Sequence, residues 1–240
     1  MALAQQHGVR RWRAPGPDTW LAIVAGILAV VVIVAITTGV FRVERLASST
    51  GGSGVSVTDQ REVAPFTSVE LAGANTVVIL VGAPLSVAVT GDDNLVSRVT
   101  TVVRDGQLVI DDTGSFTTKS PMQVAVSVPS LDGVELGGAG TVTVDGVANA
   151  AFSAELGGDG TLLAAGTVQL VTAVLAGHGT LDLHDLVATD GTAQLQGTGT
   201  IRIHTTSTLD ATLTGAGTIL YRGDPTVTVR NTGSGVVVQE

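Results

Sequence analysis

The sequence predicts an all-β fold: a parallel β-helix-like solenoid of about 18–20 residues per coil, preceded by one N-terminal transmembrane α-helix. Three observations predict this architecture. A Gly-x-Gly triplet, usually followed by Thr, recurs six times in the C-terminal half; apolar and polar residues alternate around the triplets; and a long uncharged apolar segment lies near the N-terminus. Repeats of this length cannot bury their apolar face alone, so successive repeats are expected to stack on one another.

A membrane anchor is predicted for the N-terminal segment. Residues 1–19 form a basic tail, and residues 20–41 carry no charge over a length that crosses a bilayer as a helix. Trp20 and Phe41 stand at its two ends, where aromatic residues favour the membrane interface. A cleaved secretory signal has a shorter apolar region followed by small residues, whereas Arg42 follows directly here. We therefore expect an uncleaved single-pass helix in the cell membrane, with a cytoplasmic N-terminus and an extracytoplasmic C-terminal domain.

The remaining chain is predicted to be a short linker and one β domain. Residues 42–54 end in a Ser- and Gly-rich stretch typical of a linker, and residues 55–240 form the predicted extracytoplasmic β-solenoid. Asp105 and Gly106 lie between two alternating apolar segments, which predicts a β-hairpin. The other strands predicted before the glycine triplets are β-branched and bounded by Gly, Pro or Asp: Ser68–Leu71, Thr76–Val81, Leu85–Thr90 and Gln123–Val128.

The glycine triplets align apolar residues into columns. Leu or another apolar residue usually stands two residues before the first glycine, and apolar residues stand two and four residues after the second. Because strand side chains alternate between faces, these columns point inward and the Thr column points outward. We expect the glycines to turn corners through φ > 0 and to let coils lie about 4.8 Å apart. The first glycines of the triplets are Gly138, Gly158, Gly177, Gly197, Gly215 and Gly233.

The last repeat departs from this pattern. Asn231 replaces the inward Leu, and Gln239 replaces the apolar residue four positions after the second glycine. Capping of the solenoid by these final residues is one interpretation, since an open end exposes unpaired backbone. The alternative is a homo-oligomer that pairs through this C-terminal edge, because residues 236–239 keep a strand-like sequence.

Composition excludes several functions. The chain has no Cys, so it offers no disulfide, thiolate metal site or Cys nucleophile. The net charge is −9, and the acidic residues concentrate in the predicted extracytoplasmic domain. An acidic surface repels phosphate backbones, so no nucleic-acid partner is expected.

The glycine triplets themselves do not predict a ligand site. Calcium-binding nonapeptide repeats need an Asp two residues after the second glycine, where this chain has the apolar column that begins with Val142. A phosphate-binding loop needs a following helix, and none is predicted.

Other polar residues are better explained by structure than by chemistry. Residues Gly91–Asn94 group three oxygen-bearing side chains, which an Asx turn explains better than a cation site. His178 and His204 lack the spacing of metal ligands. A sugar-cleaving groove needs two carboxylates and aromatic platforms, and only Tyr221 follows the anchor as a Tyr or Trp. The residues considered for such a groove are Asp182, His184 and Asp185, with Asp111 and Asp112 elsewhere. No catalytic, cofactor-binding or metal-binding residue, and no cofactor, is predicted.

Several motifs in series resemble a bacterial family. They are Ser68–Leu71, Gly91–Leu95, Asp105–Ile110, the serial glycine turns and finally Tyr221–Pro225. In this order they resemble the putative autotransporter adhesin "head GIN" domain over about residues 60–230. The resemblance implies a β-solenoid envelope domain of unassigned biochemical function. A membrane helix in front of it suits an envelope location and departs from a secreted autotransporter.

Together these features predict a membrane-anchored structural, adhesive or interaction module of the bacterial cell envelope without catalytic activity. Its expected partners are the membrane, an envelope protein or glycan, and a second copy of the chain. The alternatives are an envelope-stress or signalling accessory protein and a polysaccharide-active β-helix enzyme.

Overall fold

Two stacks of parallel strands run along the molecule and meet at the glycine corners. The computed structural model describes residues 50–240. The predicted basic tail, the predicted transmembrane helix at 20–41 and most of the predicted linker lie outside these described residues. Between residues 50 and 240 no helix has the length and apolar character that crossing a membrane requires. The all-β solenoid is confirmed for this part of the chain.

Eighteen strands and one 3-10 turn make up the described part of the chain. The turn, Val96–Arg98, precedes the sixth strand. The strands are β1 Thr50–Gly51, β2 Ser56–Arg61, β3 Ser68–Leu71, β4 Thr76–Val81, β5 Ser86–Asp92, β6 Val99–Arg104, β7 Gln107–Asp112, β8 Phe116–Thr117, β9 Gln123–Val128, β10 Gly133–Leu136, β11 Thr141–Val147, β12 Ala151–Leu156, β13 Thr161–Leu175, β14 Thr180–Leu195, β15 Thr200–Leu213, β16 Thr218–Arg222, β17 Thr226–Asn231 and β18 Val236–Gln239.

Each coil contributes one strand segment to each stack. The first stack runs β7, β3, β10, β12, β13, β14, β15 and β17, and the second runs β9, β4, β11, β13, β14, β15, β16 and β18. The long strands β13, β14 and β15 belong to both, because each begins in the second stack and ends in the first. Every pairing between these neighbours is parallel.

The register of the strands matches the repeat alignment from the sequence. Thr161 pairs with Thr180, and the next residue, Leu162, pairs with Leu181. The columns predicted to face inward are buried in all but the last coils, as Leu162, Leu181 and Leu195 illustrate at 0% exposure. Burial of one such side chain is worth about 1.5–3 kcal/mol, so the stacked columns supply most of the core.

The N-terminal end corrects the expectation of a purely parallel solenoid. β5 and β2 extend the second stack beyond β9 in antiparallel orientation, and β6 pairs antiparallel with β7. The β6–β7 connection is the predicted hairpin, and both of its turn residues have positive φ: 50° at Asp105 and 79° at Gly106. Short connections of this kind reverse the chain, whereas a parallel neighbour requires a full coil.

The order of the coils in space also differs from their order in the chain. The coil formed by β3 and β4 comes first in the sequence, yet it lies between the β7–β9 coil and the β10–β11 coil. Each of its strands therefore has a later segment of the chain on both sides. The first glycine-type corner, Gly73–Thr76, therefore packs next to the loop between β7 and β9, which is not a glycine corner.

The glycine triplets are explained by the close approach of neighbouring coils, and not by a positive φ angle. A Cβ at Gly177 would overlap the carbonyl oxygen of Gly158 in the preceding coil, and a Cβ at Gly179 would overlap that of Gly160. Those carbonyls accept hydrogen bonds from His178 N, at 3.3 Å, and from Thr180 N, at 3.0 Å. The expectation of φ > 0 at the triplet glycines is wrong, since none of them has positive φ.

Positive φ is used at a different place in the coil. Gly146 and Gly166, whose φ values are 84° and 145°, lie where two neighbouring coils bend away from the second stack. The coil therefore has two kinds of glycine position: one relieves crowding between coils, and the other allows a left-handed backbone.

We predict that Gly179→Val destabilises the fold by about 3 kcal/mol or more, because its side chain has no room against the Gly160 carbonyl. Urea unfolding followed by circular dichroism measures the change. The matched control is His178→Ala. His178 contacts Asp159 at 3.1 Å, but the two side chains are 73% and 71% exposed, and exposed pairs contribute about 0–1 kcal/mol. A Gly179→Val chain as stable as the wild type would contradict this account of the corner.

Candidate functional site

The turn at Gly91–Asn94 is an anchoring point for neighbouring loops. Asp92 is fully buried, and its carboxylate accepts hydrogen bonds from Gly54 N at 2.7 Å, Lys119 N at 2.8 Å and Ser120 N at 3.2 Å. Burial alone would raise the pKa of Asp92, but the backbone hydrogen bonds outweigh it and hold the pKa below its ordinary value. Both carboxylate oxygens are already used, which favours the structural interpretation of this turn over a cation site.

The same turn holds the start of the described chain. Asn94 Oδ1 accepts a hydrogen bond from Ser53 N at 2.9 Å, and Asn94 Nδ2 donates to Gly51 O at 3.0 Å. β1, at Thr50–Gly51, pairs in parallel with β8. Residues 50–54, at the end of the predicted linker, are therefore bonded to the folded unit.

We predict that Asp92→Asn destabilises the fold at neutral pH, because an amide cannot accept every hydrogen bond that the carboxylate accepts. A lowered folded-state pKa means that the carboxylate stabilises the fold above the ordinary Asp pKa of about 3.9, and that this stability is lost as the pH falls through the folded-state value. Free energies of unfolding, measured against pH, should therefore converge for the wild type and Asp92→Asn in acid. Asp93→Asn, at the exposed neighbour, is the control; parallel curves for wild type and Asp92→Asn at all pH values would refute the assignment.

The structure brings Asp182, His184 and Asp185 together on the outer surface of the second stack. The backbone N–H of His184 donates to Asp182 Oδ1 at 3.1 Å, and the His184 ring Nδ1 lies 2.9 Å from Asp185 Oδ1. A register shift between Leu183 and Val187 in β14 causes this grouping, since residues 184–186 have no partners in β15. The extra residues push the His184 and Asp185 side chains away from the regular ladder.

Two arginines from later coils offset part of the negative charge of this group. Arg202 lies 3.4 Å from Asp182 Oδ2 and 3.5 Å from Glu240 Oε1, while Arg222 Nη1 lies 2.8 Å from His184 Nε2. Because arginine only donates, Nε2 of His184 accepts, and the ring proton is on Nδ1, which donates to Asp185. We call these residues the outer charge cluster: Asp182, His184, Asp185, Arg202, Arg222 and Glu240.

The described residues of the outer charge cluster differ from the sugar-cleaving groove considered from the sequence. Its cavity, of about 270 Å³, has no Phe, Tyr or Trp among the described residues that line it, and Asp182 is paired with an arginine. Asp111 and Asp112, the other carboxylates considered for a groove, lie on β7 and not in this cluster. Arg202 on β15 instead forms ion pairs with Asp182 on β14 and with Glu240 after β18, so it links its coil to the preceding coil and to the end of the chain.

The remaining histidines stay apart from each other. His178 lies at a glycine corner beside Asp159, and His204 pairs with Arg222 in the β15–β16 ladder. No group of three or more His, Cys, Asp or Glu side chains in residues 50–240 is placed to hold a metal ion.

A larger cavity, of about 560 Å³, lies at the first glycine-type corner, and the sequence did not reveal it. It opens between Gly73–Thr76 and the loop of residues 113–122 that follows β7. Asp112, from the neighbouring coil, holds the corner in place. Its Oδ1 accepts a hydrogen bond from Asn75 Nδ2 at 2.6 Å, and its Oδ2 accepts one from Ala74 N at 3.2 Å. We call this space the first-corner cavity.

One sequence signal could have located the first-corner cavity. The corner has Asn75 where the later repeats have their second glycine, and a non-glycine residue fits only where the coil below leaves room. The β7–β9 coil leaves that room because residues 113–122 do not form a glycine corner. The unusual residue therefore marks the place where the stacking is interrupted.

The last coil is partly capped and partly open. Asn231 Nδ2 donates to Gly235 O at 2.8 Å, and Gln239 Nε2 donates to Gly223 O at 2.8 Å, so both residues that break the repeat satisfy backbone carbonyls. Val229, Val236 and Val238 nevertheless remain 48%, 51% and 45% exposed. In the described part of the chain β17 and β18 each pair on one side only.

These features define a class of protein: a glycine-cornered parallel β-solenoid with an antiparallel N-terminal end. The family model described as "Putative auto-transporter adhesin, head GIN domain" matches residues 65–225. The chain belongs to this family, which confirms the resemblance seen in its motifs.

Solved structures share the fold. One is described as a putative adhesin from Bacteroides fragilis, with 20% identity, a TM-score of 0.62, and coverage of 80% of this chain and 100% of that chain. Another is described as a putative lipid binding protein from Parabacteroides distasonis, with 19% identity, a TM-score of 0.53, and coverage of 80% and 100%. A third, a putative adhesin from Parabacteroides merdae, has 17% identity, a TM-score of 0.51, and coverage of 80% and 99%. None of the curated proteins compared with the chain matches it.

Proposed function

We propose that the protein is a membrane-anchored, extracytoplasmic interaction module of the bacterial cell envelope, with a structural or adhesive role and no catalytic activity. The main observation behind the proposal is that buried or paired polar side chains of the solenoid bond to other parts of the solenoid. Asp92 binds backbone N–H groups, and the ion pairs of Arg202 link coils, so both groups hold the solenoid together. The family description and the adhesin names of similar structures support an adhesive role.

The anchor in this proposal is the uncharged segment at residues 20–41. Its apolar length suits one membrane crossing, and the basic residues 10, 11 and 13 before it favour a cytoplasmic N-terminus. The acidic domain behind it is then displayed outside the membrane. A rigid stack of coils presents the same outer surface at regular spacing, which suits contact with extended partners.

A non-catalytic role is favoured over a polysaccharide-active enzyme. Glycoside hydrolysis requires one carboxylic acid that donates a proton and a second carboxylate at a defined separation across a bound sugar. In the outer charge cluster Asp182 is held by Arg202, and Asp185 accepts from the His184 ring. Both carboxylates are thus engaged with neighbouring side chains of the solenoid, which favours a structural role for them.

We predict that deletion of the gene reduces attachment of the bacterium to surfaces or to other cells, and that the full-length chain restores attachment. Counting attached cells under flow measures the effect. Restoration by the His178→Ala chain, whose altered side chain is exposed, is the control for expression. Unchanged attachment in the deletion strain, together with no partner recovered from envelope extracts, would argue against the proposal, as would hydrolysis of wall or capsule sugars by the purified chain.

We also propose that copies of the chain associate through the last coil. The edge strand β18 contains neither charge nor proline, the residues that usually keep an edge from pairing. The edge strand β2 at the other end carries Asp59 and Arg61, which contact each other at 3.2 Å. A second copy is the partner with a matching exposed edge, and pairing would also cover Val236 and Val238.

Val238→Lys is predicted to weaken self-association of the full-length chain at least about tenfold, because a lysine on an edge strand disfavours pairing with a further strand. Sedimentation equilibrium in detergent measures the dissociation constant. Val102→Lys is the matched control, since Val102 is equally exposed, at 45%, but lies on β6 at the opposite end. A monomeric wild type, or equal dissociation constants for all three chains, would rule out pairing through this coil.

A further inference from the structure

The first-corner cavity has the size of a ligand site. Its volume of about 560 Å³ lies within the range of about 300–1,000 Å³ typical of small-molecule sites. It is larger than the cavity at the outer charge cluster, and the described residues around it include both polar groups and an aromatic ring.

Both walls of the first-corner cavity are fixed by hydrogen bonds. On one side Asp112 holds Ala74 and Asn75 through the two bonds described above. On the other side the loop is held at two points in its middle: Phe116 pairs with Thr50 in the β1–β8 ladder, and Lys119 N donates to Asp92. A cavity with fixed walls binds a ligand without first ordering its own loops, which lowers the entropic cost of binding.

The chemistry of the lining points to a sugar. Asp112, Asn75, Thr76 and Thr118 offer carboxylate, amide and hydroxyl groups, and Phe116 and Met122 supply apolar surface. A saccharide has hydroxyls that match the first set and a C–H face that packs on an aromatic ring. The carboxylate and the net negative charge disfavour anionic ligands. The number of polar groups disfavours an acyl chain, since burial would leave these groups without hydrogen-bond partners.

We propose that the first-corner cavity is a binding site for a neutral saccharide unit. The proposal rests on the proposed adhesive function and names the ligand class and the site that would serve it. The exposed hydroxyls of Thr76 and Thr118 would exchange hydrogen bonds with sugar hydroxyls, while the Phe116 ring would pack on the sugar's C–H face.

The corner offers a variant that blocks the cavity without disturbing the fold. Ala74 is the middle residue of its corner, lines the cavity and is exposed. The equivalent positions in later coils accept larger side chains, namely Asp159 and His178, both of which are more than two-thirds exposed. Ala74→Trp should therefore fill the cavity, and Ala139→Trp, at the same position one coil further along, places the same side chain outside the cavity.

The test is saturation-transfer NMR with the full-length chain in a detergent that has no sugar head group. The probes are lactose, maltose and chitobiose as neutral saccharides, and galacturonic acid as the anionic comparison. We expect at least one neutral probe to bind, galacturonic acid not to bind, and Ala74→Trp to weaken binding at least about tenfold while Ala139→Trp leaves it unchanged. Phe116→Ala should weaken binding, and Phe116→Tyr should retain it because the ring remains.

Two results would overturn the proposal. Absence of binding by all neutral probes is one, and binding that Ala74→Trp and Phe116→Ala leave unchanged is the other. Attachment of cells that persists with the Ala74→Trp chain would remove the cavity from the adhesive role and leave the proposed function intact. Loss of the proposed function would appear separately, as unchanged attachment after gene deletion. Thermal unfolding of each variant shows that it is folded, and Phe116→Tyr decides the case if Ala74→Trp is unstable.

Discussion

The solenoid depends on how closely one coil approaches the next at the glycine corners. The carbonyl of each first glycine lies against the Cα of the equivalent glycine in the following coil, where no side chain fits. This contact lets the hydrogen-bond ladder continue through the corner, for example from Thr180 N to Gly160 O and from Thr200 N to Gly179 O. The strands on both sides then keep one register, and the inward Leu columns stack on one another. The burial of the core therefore follows from a backbone contact.

The regular part of the fold was predictable because two periods coincide in it. Alternation of apolar residues identifies the inward face, and the recurrence of glycine identifies where each coil begins, so the pairing of Leu162 with Leu181 follows. The antiparallel end was not predictable in the same way. β2 and β5 show the same alternation as parallel strands, and the direction of a neighbour is not encoded in either strand. Only the β6–β7 hairpin carried a local signal, in Asp105 and Gly106.

The contacts of the candidate functional residues also differ in whether the repeat period predicts them. Asp182 and Arg202 are one coil length apart, so their contact could have been found by adding the repeat period to Asp182. His184 and Arg222 are 38 residues apart, the length of two coils, but their direct contact depends on the register shift that moves His184 out of the ladder, and the repeat period does not reveal that shift. The first-corner cavity forms because the coil next to Asn75 is the β7–β9 coil, which comes later in the sequence than the β3–β4 coil. The spatial order of these coils cannot be read from the repeat. Sequence reasoning therefore identified individual side chains better than it identified concave surfaces.

The displaced β3–β4 coil also has a consequence for the time course of folding. From β12 onward each coil contacts the coil about one repeat before it, and such local contacts form fast. The β3–β4 coil must instead wait for Gln107 and Gly133, which pair with Ser68 on its two sides. A chain that emerges from its N-terminus, from a ribosome or through a translocation pore, therefore exposes this coil with both edges open until much later segments arrive.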